Sequence, residues 1–219
     1  MITYESLKQN EEIRTLIARA DESLRVLGYT EHSFAHVCRV AETAGYILES
    51  LGYPEHEAEL ARIAAYLHDI GNLVNRVEHS QSGAVMAFVL LTKMGMEMED
   101  IAAITTAIGN HHEGTGVPVN AIAAALILAD KADVRRSRVR ADEETAPYIH
   151  DRVNYSVTES VLTVSEDKTT VTLALKIDTA HSSVAVYFEI FMERMLRCRH
   201  AAKRLGLRFA LTINDHTVM

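Results

Sequence analysis

The sequence predicts a mainly α-helical fold with a small α+β segment at its C-terminal end. Apolar residues recur at helical spacing through most of the first 140 positions. Beyond residue 155, runs rich in β-branched residues replace that pattern. We therefore divide the 219-residue chain into a helical domain (1–140), a polar connector (141–154) and an α+β appendage (155–219).

The first two helices are predicted from spacing and end signals. Leucines and isoleucines at helical spacing predict one helix from Glu5 to Leu27, and Gly28 ends it. Thr30 is a candidate cap for a second helix. That helix would carry His32 and His36 on one face, because residues four apart lie one above the other.

The third helix begins near Pro54, which suits a first helical turn, and runs to the dipeptide His68-Asp69. Later helices are predicted from caps at Ser80 and Asn120. Gly95 and Gly109 interrupt them.

The appendage is predicted as a ββαβ unit. Two β-rich runs (157–164 and 169–177) flank a turn at 165–168. In the second run, apolar residues alternate with polar or small ones, as in a sheet with one buried face. A helix from about Ser182 to Leu205 and a last strand (207–213) follow. We expect the appendage to act as a lid, a cover for the core or a surface of a possible homodimer.

The most informative feature is His68-Asp69, a polar pair that follows the apolar lead-in 64–67 where a buried helix ends. An imidazole and a carboxylate at adjacent positions can bind one cation. The chain holds a second such pair, His150-Asp151, in a polar stretch. We interpret that pair as part of a solvated loop.

Asp130 is the second unusual carboxylate, because the nine residues that precede it are all apolar. An unpaired carboxylate in such a setting would cost several kcal/mol or become protonated. A metal ion at Asp130 removes that cost. The alternative is a carboxylate that pairs with Arg135 or with another residue on the helix surface.

Composition excludes several classes of protein. A net charge of −8 argues against general nucleic-acid binding, which depends on Lys and Arg at phosphates. Cys38 and Cys198 form no CxxC motif, so neither a disulfide framework nor a thiolate metal site is expected. The N-terminus is polar, and no apolar run approaches the roughly 20 residues of a membrane span. We expect a cytoplasmic protein that does not bind membranes.

The polar residues form an ordered pattern: His36, His68-Asp69, His79, His111-His112 and Asp130. This pattern and its local contexts (HSFAHVCRVAE, AAYLHDIGN, EHSQSGA, AIGNHHE and LILADKADV) resemble the HD superfamily of metal-dependent phosphohydrolases over roughly residues 30–140. The resemblance implies a helical bundle in which His36, His68, Asp69 and Asp130 hold one metal ion. His79, His111 and His112 resemble the additional ligands of two-metal branches, in which Asp69 bridges both ions.

Histidine and carboxylate ligands without cysteine favour iron, manganese, nickel or zinc. We expect two such ions and a reaction that needs no protein nucleophile. Asp69, Lys131 and Arg135 are the candidate catalytic residues, the two cations as phosphate ligands. A basic cluster just after Asp130 is also typical of a solvated helix end.

The resemblance points to a small phosphorylated substrate, such as a nucleotide or another phosphate ester. The sequence is similar to both the cyclic-dinucleotide phosphodiesterases and the dinucleoside tetraphosphate hydrolases of the superfamily. It departs from the former at Asn72, where those enzymes usually have lysine, and in a shorter loop after His112 that lacks their tyrosine. Two other functions stay open: a di-iron oxygenase that cleaves a C–H bond, and a nucleotide-binding sensor without activity.

Overall fold

The protein is described by a computed structural model that covers residues 2–112, 114–140 and 149–219. Its α-helices are α1 (Tyr4–Lys8), α2 (Glu11–Val26), α3 (Phe34–Leu51), α4 (Glu55–Leu67), α5 (His79–Met94), α6 (Met98–Gly109), α7 (Ala121–Ala132), α8 (Ile149–Ser156) and α9 (Val184–Arg204). Its strands are β1 (Val157–Val164), β2 (Thr170–Ile177), β3 (Arg208–Ile213) and β4 (His216–Thr217). The predicted class, a helical bundle followed by a small α+β unit, is confirmed.

Helix α7 lies at the centre of the bundle, in contact with α3, α4, α6 and α9. Its residues from Ile122 to Ala129 are all buried, as expected for a helix that is apolar on every side. Asn120 caps it as predicted, since the Asn120 side chain accepts a hydrogen bond from the Ala123 amide. The last turn of α7 therefore brings Asp130 to the end of the core.

The prediction of one continuous first helix from Glu5 to Leu27 is wrong. Asn10 divides it into α1 and α2, because its side chain accepts hydrogen bonds from the amides of Glu12 and Ile13 and so begins a new helix. The predicted cap at Thr30 is also wrong. Helix α3 begins only after Ser33, so His32 lies in the loop before it. Helix α5 likewise begins at His79, one residue before the predicted cap at Ser80.

The appendage forms one sheet in the order β1-β2-β3-β4, with β2 and β3 parallel and the other pairs antiparallel. The predicted ββαβ order is present, and the short strand β4 extends it. Buried residues alternate along β2 as predicted. Helix α9 packs against β2, β3 and α7, while β1 contacts α3 and α7, so the appendage is attached to the two helices that carry His36 and Asp130.

The predicted connector is partly helical. Its first residues, 141–148, lie outside the described ranges, but residues 149–154 belong to α8. Helix α8 contacts α9 and the 3-10 turn Arg136–Arg138. Asp151 is only 7% exposed there, so the interpretation of this residue as part of a solvated loop is wrong. None of the described helices combines the length and apolar character that a bilayer crossing requires.

Candidate metal centre

The His68-Asp69 pair lies where the sequence predicts, at the end of a buried helix. His68 is the C-cap of α4, and Asp69 precedes a 3-10 turn, Ile70–Leu73. Both side chains are buried. The turn packs closely on α5, because a Cβ added at Gly71 would lie 2.0 Å from the backbone oxygen of His79. This close approach places Asp69 beside the first residue of α5.

Three helix ends converge on one cluster of nitrogen and oxygen atoms. His36 Nε2, from α3, lies 3.4 Å from Asp130 Oδ1 and 3.6 Å from Asp69 Oδ2. His68 Nε2 lies 3.2 Å from Asp69 Oδ2 and 3.8 Å from Asp130 Oδ1. His36, His68 and Asp130 could hold a metal ion, because each offers a ligand atom and these atoms lie within 4.8 Å of one another.

The hydrogen bonds of the imidazoles fit a cation in this cluster. His36 Nδ1 donates to Asp133 Oδ2 at 2.8 Å, and His68 Nδ1 donates to the Ala65 carbonyl at 2.6 Å. Each ring thus carries its proton on Nδ1, which leaves a lone pair on Nε2. Both Nε2 atoms are buried without a hydrogen-bond partner among the described residues. Buried polar atoms without a partner are rare, and a metal ion would satisfy these two.

A second cluster lies on the other side of Asp69. His79 Nε2 is 3.6 Å from Asp69 Oδ1 and 3.2 Å from His111 Nε2. The Nδ1 atoms of these two rings donate to the carbonyls of Arg76 and Ile108. Two Nε2 lone pairs therefore face each other, an arrangement that a bound cation would stabilise. His68, Asp69 and His111 could also hold a metal ion, because their ligand atoms lie within 4.8 Å of one another.

The protonation states of His79, His111 and Asp130 agree with metal binding, whereas the charges of Asp69 and Asp130 raise the pKa of His68 against the effect of burial. Burial lowers the pKa of His111 well below its usual range and lowers that of His79 to about 4, so both rings are neutral at physiological pH. Burial opposes ionisation of Asp130, but the adjacent Lys131, 2.5 Å away, holds the pKa of that carboxyl well below its usual range. Neutral imidazoles and ionised carboxylates are the forms that bind metal ions.

Comparison with known families agrees with this geometry: the family model described as HD domain matches residues 33–138. The chain contains an HD domain. It is 27% identical over 160 residues to the uncharacterized protein MJ1020 of Methanocaldococcus jannaschii, an alignment that covers 63% of this chain and 61% of that protein.

The crystal structure of a predicted HD superfamily hydrolase from an uncultured Thermotogales bacterium is also similar. The two proteins share 29% sequence identity, and the TM-score is 0.46. The match covers 57% of this chain and 67% of that one.

The HD domain contains one important residue that the sequence analysis missed. Asp133 is 2% exposed. It accepts the Nδ1 proton of His36 and also a hydrogen bond from Arg135 Nε at 2.8 Å. Asp133 follows Asp130 by three residues in the segment ADKAD. This spacing was a signal that the second carboxylate could support the first cluster, since metal-binding histidines usually donate to a carboxylate or carbonyl.

The two clusters open into a cavity of about 420 Å³. Its walls carry the basic residues Arg76, Lys131, Arg138 and Arg194 and the acidic residues Asp69, Asp130 and Asp151, together with Leu27, Gly28, Tyr29, Thr30, His32, His79, His111, His112 and Asn154. Such a volume suits a small-molecule ligand. The C-terminal part of the chain thus contributes to the cavity of the HD domain through α8 and α9.

Lys131 and Arg135, the two predicted phosphate ligands, differ in their position relative to the cavity. Lys131 is 7% exposed, lines the cavity and pairs with Asp130, so a solvated helix end does not describe it. Arg135 is not among the described residues that line the cavity, because its guanidinium bonds Asp133, Ser137 and Glu31. Arg135 holds Asp133 in place, and Asp130 pairs with Lys131 rather than with Arg135. His112 lines the cavity beside His79, with ring centroids 5.1 Å apart.

Proposed function

We propose that this protein is a metal-dependent phosphohydrolase that cleaves a nucleotide or another phosphate ester. The observation that carries the proposal is the orientation of Asp69, whose Oδ2 faces His36 and His68 while its Oδ1 faces His79. A carboxylate so placed can bridge two cations. His36, His68, Asp69 and Asp130 would hold the first ion, and Asp69, His79, His111 and His112 would hold the second.

Iron, manganese, nickel and zinc suit these ligands. Divalent ions there would polarise a phosphoryl oxygen and lower the pKa of water, which supplies a nucleophile without a serine or cysteine. The chain itself orients the ligands. Asn72 Nδ2 donates to the backbone oxygen and to Oδ1 of Asp69, which restrains the carboxylate in the orientation that faces both clusters.

Two cations on the cavity wall support a phosphate ligand. Lys131 Nζ lies beside Asp130, at the edge of the first cluster. Arg76 donates to Asn72 Oδ1 at 3.2 Å, and its Nη1 lies 3.5 Å from His79 Nε2. Arg76 therefore places a positive charge beside the second cluster, four residues after the position where the similar phosphodiesterases usually have lysine. Cations on both sides favour an anionic substrate over the C–H substrate of an oxygenase.

The proposal is tested by phosphate release from a panel of mono- and diesters. The protein is stripped with a chelator, and manganese, iron, nickel or zinc is added back. We expect turnover only after metal is restored. Lys131→Gln and Arg76→Gln should each raise KM about 10- to 100-fold, the range expected for loss of a charged hydrogen bond. Lys93→Gln is the matched control, because Lys93 is exposed and pairs with Glu12 at the surface.

Three outcomes would contradict the proposal. If every ester stayed intact with every metal, the phosphohydrolase assignment would be wrong. If the iron-loaded protein consumed dioxygen while the esters stayed intact, the oxygenase would replace it. Binding of nucleotides without turnover would instead indicate a sensor.

A further inference from the structure

The cavity has a second polar region that is separate from the two metal-binding clusters. Asp151 and Asn154 both line the cavity and are both buried. They lie three residues apart on α8, so they share one face of that helix. Neither belongs to the histidine and carboxylate groups described above. The region they form, Asp151 and Asn154, is called here the α8 subsite.

Asp151 is the unusual member of the α8 subsite. It is 7% exposed, yet no described residue forms a hydrogen bond or an ion pair with its carboxylate. Burial raises the pKa of Asp151, and the charge of Arg140 opposes that shift only in part. Arg140 is itself bound to Asp21 and to the backbone oxygen of Tyr29. A buried carboxylate without a partner is costly, so its presence on a cavity wall points to a ligand.

Arg138 does not fill this role. Arg138, on the same cavity wall, donates through Nε to the backbone oxygen of Glu31 and through Nη1 to that of Asp133. Asp151 lines the cavity, so its carboxylate oxygens can accept hydrogen bonds from a ligand there. The ligand group that complements it must donate hydrogen bonds.

Two parts of the cavity lining thus suit ligand groups of opposite character. The metal clusters with Lys131 and Arg76 suit a phosphate, whereas an ionised carboxylate accepts hydrogen bonds and repels a phosphate. Tyr29, which also lines the cavity, has a flat ring of the kind on which nucleobases stack, and the guanidinium of Arg76 lies over that ring, 5.3 Å from its centroid. A nucleotide unites a phosphate with a planar base. Among the common bases, guanine presents two adjacent N–H donors, N1–H and the N2 amino group, which match the two oxygens of a carboxylate.

We propose that the α8 subsite recognises the base of a guanine nucleotide, with Asp151 accepting hydrogen bonds from N1–H and from the N2 amino group. This inference rests on the proposed phosphohydrolase function, because the phosphate of the same nucleotide lies at the metal clusters.

The test compares two ligands that differ only in the N2 amino group, guanosine 5′-monophosphate and inosine 5′-monophosphate. Their binding to the manganese-loaded protein is measured by calorimetry, so that the result does not depend on turnover. The parent protein should bind the guanine nucleotide about 10-fold more tightly or better, the value of one hydrogen bond to a charged group. In Asp151→Asn, which replaces one acceptor oxygen by a donor, the preference should fall to about twofold or less.

Asp215→Asn is the matched control, because Asp215 is an exposed carboxylate of the same C-terminal region that pairs with Lys176. It should keep the parent preference. Thermal melting of each variant verifies that it is folded.

The result separates this inference from the proposed function. A preference for the guanine nucleotide that survives in Asp151→Asn, or equal binding of both nucleotides by the parent protein, overturns the α8 subsite even if phosphate esters are hydrolysed. Failure of the parent protein to bind either nucleotide also overturns it. If the preference depends on Asp151 but the protein hydrolyses no ester, the α8 subsite is supported and the proposed phosphohydrolase function is wrong.

Discussion

Asp133→Asn should weaken metal binding although Asp133 is not itself a ligand. The carboxylate accepts the Nδ1 proton of His36 at 2.8 Å, which fixes the tautomer and the direction of the ring. Asparagine keeps the shape of the side chain but removes its charge. Loss of such a supporting partner costs about 10- to 100-fold in metal affinity, or roughly 1.4–2.7 kcal/mol.

The charge matters because Asp133 is ionised at any physiological pH. Burial opposes its ionisation, but the hydrogen bond from His36 and the charge of Arg138 hold the pKa of Asp133 well below its usual range. Arg138 is 5% exposed, and its Nη1 lies 3.8 Å from Asp133 Oδ2. The substitution therefore also leaves a buried cation poorly compensated, so the free energy of unfolding should fall as well.

Metal affinity is measured by competition with a chromophoric chelator, at a temperature at which the variant is folded. Asp100→Asn is a matched control, because Asp100 Oδ1 lies 2.8 Å from His56 Nε2 in an equivalent pair at the surface. The control should bind metal as the parent does. Parent-like affinity in a folded Asp133→Asn would refute the role assigned to this carboxylate.

If Asp69 bridges two ions, His79→Ala should retain about half of the metal after dialysis and Asp69→Ala almost none, because the bridge serves both ions while His79 serves one. Elemental analysis that finds equal metal in His79→Ala and the parent would indicate a one-ion site. Burial raises the pKa of Asp151 above the ordinary value of 3.8. At this carboxylate the folded state therefore binds more protons than the unfolded state, so the free energy of unfolding falls as the pH rises. Asp151→Asn should therefore melt above the parent at neutral pH, with a gain that disappears in acid; a gain independent of pH would contradict this. Gly71→Ala should destabilise the protein by about 1–3 kcal/mol or more, because its Cβ would meet backbone of α5. Gly109→Ala, whose added Cβ has no neighbour closer than 3.6 Å, should melt close to the parent, and similar melting of both variants would show that Gly71 has room.

Local patterns predicted most of the elements. The apolar run before Asp130 predicted a buried helix end, and the alternation along 169–177 predicted a strand with one buried face. Both were correct because the period of side chains along a helix or strand is a property of neighbouring residues. The errors lie at element ends, such as Asn10, where one side chain that bonds nearby amides is enough to begin a new helix.

The sequence by itself determined the class of the fold and the ordered set of histidines and aspartates that the structure brings together. It did so because both depend on residue type and on spacing along the chain. Only the tertiary structure decided which charged side chains lie next to one another. It paired Arg135 with Asp133 and left Asp151 buried against the cavity. These contacts join helices that are distant in sequence, and the packing of α7, α8 and α9 places them, so spacing along the chain carries no information about them.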